Sequence, residues 1–286
     1  MLLKVLSVVV PKKIYLALDG PRNDEDLIKI NIIKAMISEI KWESDIKYLL
    51  RDSNLGSHRA VPSSIDWFFS MEEEGIILED DCLPDISFFQ YCTELLNYYR
   101  HNEKIFSISG NNISPISYVS ESYFFSHIPH IWGWATWKRA WNKFDFNLSD
   151  FPELKEKQIL SHFFKSKHTQ KTLLRFFEKA YQGGNIWDYK WTHSHIYYDG
   201  YSIIPSVNLV TNIGFDDRAT NYLPKDSYLA NLKLNSINDI VHNENIVYNE
   251  EYYSFLSENL YKDNLSLKFS KAVFYSKRWI KNKFSL

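Results

Sequence analysis

Cysteine is nearly absent: Cys82 and Cys92 are the two thiols in 286 residues, at a spacing that matches no metal or redox motif. That excludes a disulfide framework and fits a reducing compartment, so a cytoplasmic location is expected. Charge imbalance is lacking as well. The 33 Lys and Arg against 35 Asp and Glu leave a formal charge of -2, which gives no overall attraction to nucleic acid. The opening MLLKVLSVVV is apolar but only about half the length of a membrane span, and no small-residue cleavage site follows, so it reads as part of the fold. No internal repeat and no low-complexity linker interrupts the chain, which favours one continuous domain over residues 1–264.

Aromatic residues, by contrast, are plentiful. Nine Trp, 19 Tyr and 19 Phe make up 16% of the chain. Flat rings suit a site that stacks on bases or sugar faces, and packing in a large core is the competing account.

The first 112 residues alternate strand and helix signals. Ile14–Leu18 reads as a buried strand stopped by Asp19-Gly20-Pro21, and Asp24–Ile40 has apolar residues at helical spacing behind an acidic first turn. DIKYLL is a second strand, SHRAVPSSIDWFFSMEEE a helix, GIIL a third strand, Ile86–Tyr99 a helix and KIFSISG a fourth strand. This pattern predicts an α/β fold with a mostly parallel sheet and helices on both faces. Ligands in such sheets bind at the carboxyl ends of the strands. Asp19, Arg51-Asp52, Glu79-Asp80-Asp81 and Gly110-Asn111-Asn112 all fall just past strand ends and are expected to converge there. From about Asn111 the alternation lapses into aromatic, loop-rich sequence. After Asn264 come six basic residues and no acidic one, with Leu265, Phe269, Val273, Ile280 and Phe284 roughly on one helical face. Residues 265–286 therefore read as a basic amphipathic tail suited to an anionic membrane surface.

Three adjacent carboxylates after a buried strand repel one another unless a cation lies between them, and hard oxygen ligands suit Mg²⁺ or Mn²⁺. A solvated acidic turn, with Asp85 capping the next helix, is the alternative. His127 with His130, or His193 with His195, lack a third ligand of matching spacing, which argues against zinc.

The blocks IYLALDGPR, NLGSHRAVPSSIDWFF, GIILEDDCLPDISFFQYC, ISGNN, HIWGWATWKRAW, IWDYKW and PSVNLVTNIGF, in this order, together resemble bacterial glycosyltransferases of the GT-A fold. More distantly they resemble the Golgi N-acetylglucosaminyltransferase that starts complex N-glycans. The resemblance implies residues 1–112 as the nucleotide-sugar half and 113–264 as the acceptor side. It implies a Mn²⁺ (or Mg²⁺) ligand at Asp81, with Glu79 and Asp80 beside the metal and the sugar or ribose. Asp19 and His58 match nucleobase-side residues, and Arg51 or Arg59 would reach phosphate. Asp188 matches the catalytic base of an inverting transfer from a nucleotide-diphosphate sugar, most plainly a UDP-sugar, to a glycan or lipid-linked glycan at the inner face of the plasma membrane; an aspartate capping a helix that begins at Trp187 or Tyr189 is the competing account. Trp132, Gly133, Trp134 and Trp187 would line the sugar pocket, and Trp187 and Trp191 would exclude water from Asp188.

Two positions depart from that pattern: no strand precedes Leu2–Val10, and Ala219-Thr220-Asn221 stands where relatives often carry a histidine. A non-catalytic nucleotide- or carbohydrate-binding relative, and a metal-dependent phosphoesterase or pyrophosphorylase, are the rival expectations.

Overall fold

A computed structural model describes residues 1–215 and 228–261 of the chain; the expected tail at 265–286 and Ala219-Thr220-Asn221 lie outside the described residues. Helix α1 (Leu2–Val9) stops where Val10 takes a left-handed conformation ahead of Pro11, and it packs against α4 and β4, defined below. The alternation that follows matches the sequence reading: β1 (Lys13–Leu18), α2 (Asp24–Ser38), β2 (Asp45–Leu50), α3 (Ser57–Phe69), β3 (Glu74–Ile77), the short β4 (Cys82–Pro84), α4 (Ile86–Tyr98) and β5 (Ile105–Ser109). Asn23 caps α2 by accepting the Asp26 N–H, and Asp85 caps α4 by accepting the Ser87 N–H at 2.9 Å. The second half contributes β6 (Tyr123–Ser126), β7 (Trp134–Trp137), α5 (Lys138–Trp141), α6 (Phe151–Glu156), α7 (Leu160–Phe163), α8 (Lys167–Tyr181), α9 (Trp187–Tyr197), β8 (Tyr201–Pro205), β9 (Val210–Asn212) and α10 (Glu250–Asn259).

The class is α/β, but the sheet is mixed rather than mostly parallel. β1 and β2 pair in parallel as a two-stranded sheet, while the larger sheet has the order β3-β7-β5-β8-β6. Within it β5 and β8 are parallel, and β3–β7, β5–β7 and β6–β8 are antiparallel. The reason lies in the connections. A parallel neighbour needs a crossover of a dozen or more residues, usually through a helix. The segment joining β5 to β6 holds no helix, and the aromatic stretch expected to be loop supplies β6 and β7, both running opposite to β5.

The larger sheet is covered on both sides. Ile105, Ile108, Ala135 and Ile203 pack with α4 through Phe88, Tyr91, Cys92 and Leu95. On the other side Phe106 and Trp134 pack with Ile65 and Phe69 of α3 and Trp187 and Trp191 of α9. A third cluster joins α6, α7, α8 and α10 around Leu154, Leu160, Phe177 and Leu256. Among the described residues, no helix is long and apolar enough to cross a membrane.

Candidate active site

Glu79, Asp80 and Asp81 form the turn between β3 and β4, closed by the Cys82 N–H donating to the Glu79 carbonyl at 3.1 Å. The paired strand β9 braces this turn: Ile213 N–H donates to the Asp81 carbonyl at 2.8 Å. Gly214 then passes so close that a Cβ there would lie 2.4 Å from Asp81 Oδ2, so a side chain at 214 would displace the Asp81 carboxylate. Asp85, occupied as the α4 cap, accounts for none of the triplet. Asp188 comes from the other half of the chain, in the first turn of α9. Ile186 is the cap residue there and makes no side-chain cap bond, while the Asp188 carboxylate accepts first-turn backbone N–H groups, so a helix N-terminal role and a catalytic one both fit its position.

These carboxylates feel one another. Burial pushes Glu79 up to about 8, and the neighbouring charges of Asp81, Asp80 and Asp188 push in the same direction. Burial also raises Asp81, against a hydrogen bond from Asn212, and raises Asp188, against the backbone N–H groups of Tyr189 and of Asp188. The Tyr261 phenol, raised by burial and by the charge of Asp188, belongs to the same neighbourhood.

A carboxyl raised in the folded state holds its proton there after the unfolded chain has released it. The folded state therefore binds more protons between about pH 4.5 and 8, and stability falls as pH rises through that window. Thermal melts in chelator should show this decline, and Glu79→Gln should flatten it. An unchanged slope would remove Glu79 as its source.

The remaining expected site residues are distributed more widely. Asp19 follows β1, and its carboxylate accepts from Leu55 N–H and Gly56 N–H at 2.9 Å each and from Asn54 Nδ2 at 3.1 Å, so it holds the loop before α3. Arg51 follows β2 and donates to Ser63 Oγ at 2.7 Å, Ser64 Oγ at 3.2 Å and the Ala60 carbonyl at 3.3 Å, tying β2 to α3. Asp19 and Arg51 also line a cavity of ≈ 210 Å³ with Leu18, Leu27, Ile30 and Lys34. His58 and Arg59 sit in the first turn of α3. Arg59 is exposed, and His58 Nδ1 is buried with no hydrogen-bond partner among the described residues.

The tryptophans divide. Trp134 is 1% and Trp187 6% exposed, and they stack on each other at 6.4 Å inside the core. Core packing therefore accounts for both rings, and neither offers a free face to a sugar. Trp132 remains half-buried, edge-on to Phe215 at 5.5 Å. Gly133 adopts φ +68° with its Cα against Val210 and Leu78, a position that a side chain would strain.

The structure thus keeps Glu79, Asp80 and Asp81 on one turn, with Asp188 near enough to add to the charge that raises Glu79, and leaves Asp19, Arg51, His58 and Arg59 as a second group around α3. Asn212, Gly214 and Tyr261 were not singled out from sequence. The signal available was the NIG run at 212–214, a polar residue and a glycine where a strand ends. Among the described residues, no three His, Cys, Asp or Glu side chains form a group that would by itself enclose a metal ion. That is compatible with Mg²⁺-type binding, in which one or two carboxylates are completed by substrate phosphates and water. No protein-family model and no curated protein matches the chain.

Proposed function

We propose that the chain is a divalent-metal-dependent, inverting glycosyltransferase of GT-A type. It would use a nucleotide-diphosphate sugar, UDP-linked in the first instance, and a glycan or lipid-linked glycan acceptor at the inner face of the plasma membrane. One observation carries this reading: Glu79, Asp80 and Asp81 stand side by side in a turn closed by the Cys82 N–H and braced by the Ile213 N–H. Three adjacent carboxylates, Asp80 exposed and Glu79 and Asp81 partly buried, are unfavourable together without a cation. Asp81, with Glu79 and Asp80 beside it, presents the hard oxygen donors that Mn²⁺ or Mg²⁺ takes. When bound, the ion would neutralise charge gathering on a departing diphosphate.

The rest of the chemistry rests on the chain's own groups. Asp188 is a carboxylate held in the first turn of a buried helix, with its affinity for a proton raised by burial. That raises it toward the range in which a general base both is ionised and accepts a proton readily. Trp187 and Trp191, buried beside it, keep water from competing with the acceptor hydroxyl.

A second reading, a nucleotide- or carbohydrate-binding relative without turnover, draws support from Asp19. Its oxygens are already taken by the 54–56 loop, so base recognition there would compete with loop anchoring. Turnover separates the readings: acceptor-dependent transfer, binding alone, or hydrolysis alone. Asp81→Asn is expected to abolish the Mn²⁺-dependent part of UDP binding in calorimetry while leaving the melting temperature near wild type. Undiminished Mn²⁺-assisted affinity in that variant would defeat the metal assignment.

A further inference from the structure

The register of the larger sheet extends past its last strand pairs. Ile77 of β3 lies opposite Trp134 of β7, which lies opposite Ser109 of β5. Gly110 N–H then donates to the Gly133 carbonyl at 2.7 Å, and a Cβ on Gly133 would meet Leu78 at 3.1 Å. Carried one residue further, the same register sets Glu79, Trp132 and Asn111 in one row just past the ends of three neighbouring strands.

Two of these share a face. The bare Cα of Gly110 is turned to Phe88 of α4 and Val210, so strand alternation sends Ser109 and Asn111 to the opposite side. Contacts place α9 there, since Ser107 Oγ bonds His195 Nε2 at 2.8 Å. On β3, Gly75 abuts Phe68 of α3 and Ile77 packs with α3 and α9, whereas Ile76 and Leu78 pack with α4. Alternation therefore sets Glu79 on the α9 side as well. Helix α9 runs back along β5, with His195 at Ser107 and Trp191 against Trp134 at 5.9 Å. Its first turn, which carries Asp188, lies at the Asn111 end.

Asn111 is 2% exposed, and its Oδ1 is buried with no hydrogen-bond partner among the described residues. The adjacent asparagine is the opposite case. Asn112 donates from Nδ2 to the Pro205 carbonyl at 2.9 Å, accepts the Ser114 N–H at 2.9 Å, and donates its own N–H to Asn208 Oδ1 at 3.1 Å. Asn112 is consumed by the fold and Asn111 is not. A buried acceptor without a donor is unfavourable unless something else supplies one. Trp132 stands between Asn111 and Glu79 in this row, and no hydrogen bond joins Asn111 Oδ1 to Trp132, Glu79 or Asp188. A ligand can supply the missing donor, and hydroxyl groups are the donors that a sugar carries in excess.

We infer that Asn111 is a positioning and specificity residue that accepts a hydroxyl of the transferred sugar, an inference that rests on the glycosyltransferase reading above. The geometry that carries it is one row of strand ends, with an unpartnered buried amide oxygen between the metal-side carboxylates and the helix bearing the base. A site built to receive a hydroxyl rejects ligands that lack or misplace it, so Asn111 would discriminate between epimeric donors.

The test is calorimetry in Mn²⁺ with UDP alone and with UDP-glucose, UDP-galactose, UDP-N-acetylglucosamine and UDP-N-acetylgalactosamine, on wild type, Asn111→Ala and Asn111→Ser. In Asn111→Ala the preference for the best UDP-sugar over UDP should fall about tenfold, the worth of one hydrogen bond, with UDP affinity and melting temperature unchanged. Asn111→Ser, which restores an acceptor oxygen, should recover part of the preference. Asn111→Leu keeps much of the bulk without an acceptor oxygen, should lose the same preference, and serves if the alanine variant fails to fold. An unchanged preference overturns the inference while leaving the enzyme reading intact. A lower melting temperature with unchanged preference assigns Asn111 to structure and overturns it too. Failure of wild type to bind UDP in Mn²⁺ overturns the glycosyltransferase reading, and this inference with it.

Discussion

Asp188→Asn is expected to lower kcat by about 10² to 10⁴-fold, the usual worth of a positioned general base, while donor KM changes little. The amide fills the same space in the first turn of α9 and can still accept a backbone N–H, so the helix should persist. It cannot take up the acceptor's proton. Removing one negative charge from beside Glu79 should, if anything, ease the crowding among the carboxylates. The effect is thus predicted in turnover and not in stability. A residue acting only through the helix N-terminus would cost about 0.3–1 kcal/mol and leave kcat nearly unchanged. Transfer rate and melting temperature measured on the same variant distinguish the two, and a fully active Asp188→Asn protein would send the search for a base elsewhere.

The largest loss of stability is expected from Trp191→Ala. Trp191 is fully buried in α9, and its ring lies 5.9 Å from Trp134, 5.2 Å from Trp141 and 4.5 Å from His195. Its indole N–H has no partner among the described residues, so truncation orphans nothing polar, and the cost is that of lost contacts and a cavity. For a buried Trp→Ala change that is about 3–5 kcal/mol. In a chain of this size the melting temperature should drop by roughly 10 °C. A change of no more than a degree or two would mean that α9 is not the keystone of this side of the sheet. Because Asp188 lies one turn earlier on the same helix, residual activity in the variant should be lower still than its folded fraction implies.

The elements that sequence made legible are those with a period to read. Strands β1 and β2 lie between clear stop signals, and α2 and α4 combine helical spacing with the caps Asn23 and Asp85. Among the strands it hid are β6 (YFFS) and β7 (WATW), four residues each and buried throughout. A strand buried on both faces has no polar alternation, and four residues are too few to separate it from a loop rich in rings. Helix α9 was obscured for a related reason. Thr192, His193, Ser194 and His195 are buried polar residues on a helix enclosed on nearly all sides, so its pattern is not amphipathic. At the site, the acidic triplet was legible because carboxylates side by side are conspicuous in any sequence. That Trp134 and Trp187 belong to the core, and that one of two adjacent asparagines is spent while the other is spare, depends on partners far along the chain.

The two parts of the fold differ in how firmly they are held. No residue of β1 or β2 is fully buried, and α2 buries Ile37 alone, whereas every residue of β5, β6 and β7 is buried. The β1–α2–β2 unit therefore sits at the low end of the local unfolding scale: it can open and close many times within one global unfolding event of the sheet behind it. A ligand gripped by Asp19 and the acidic turn at once would have to quiet that breathing. Part of its contact energy would be absorbed in doing so, and its measured affinity would understate the contacts it makes.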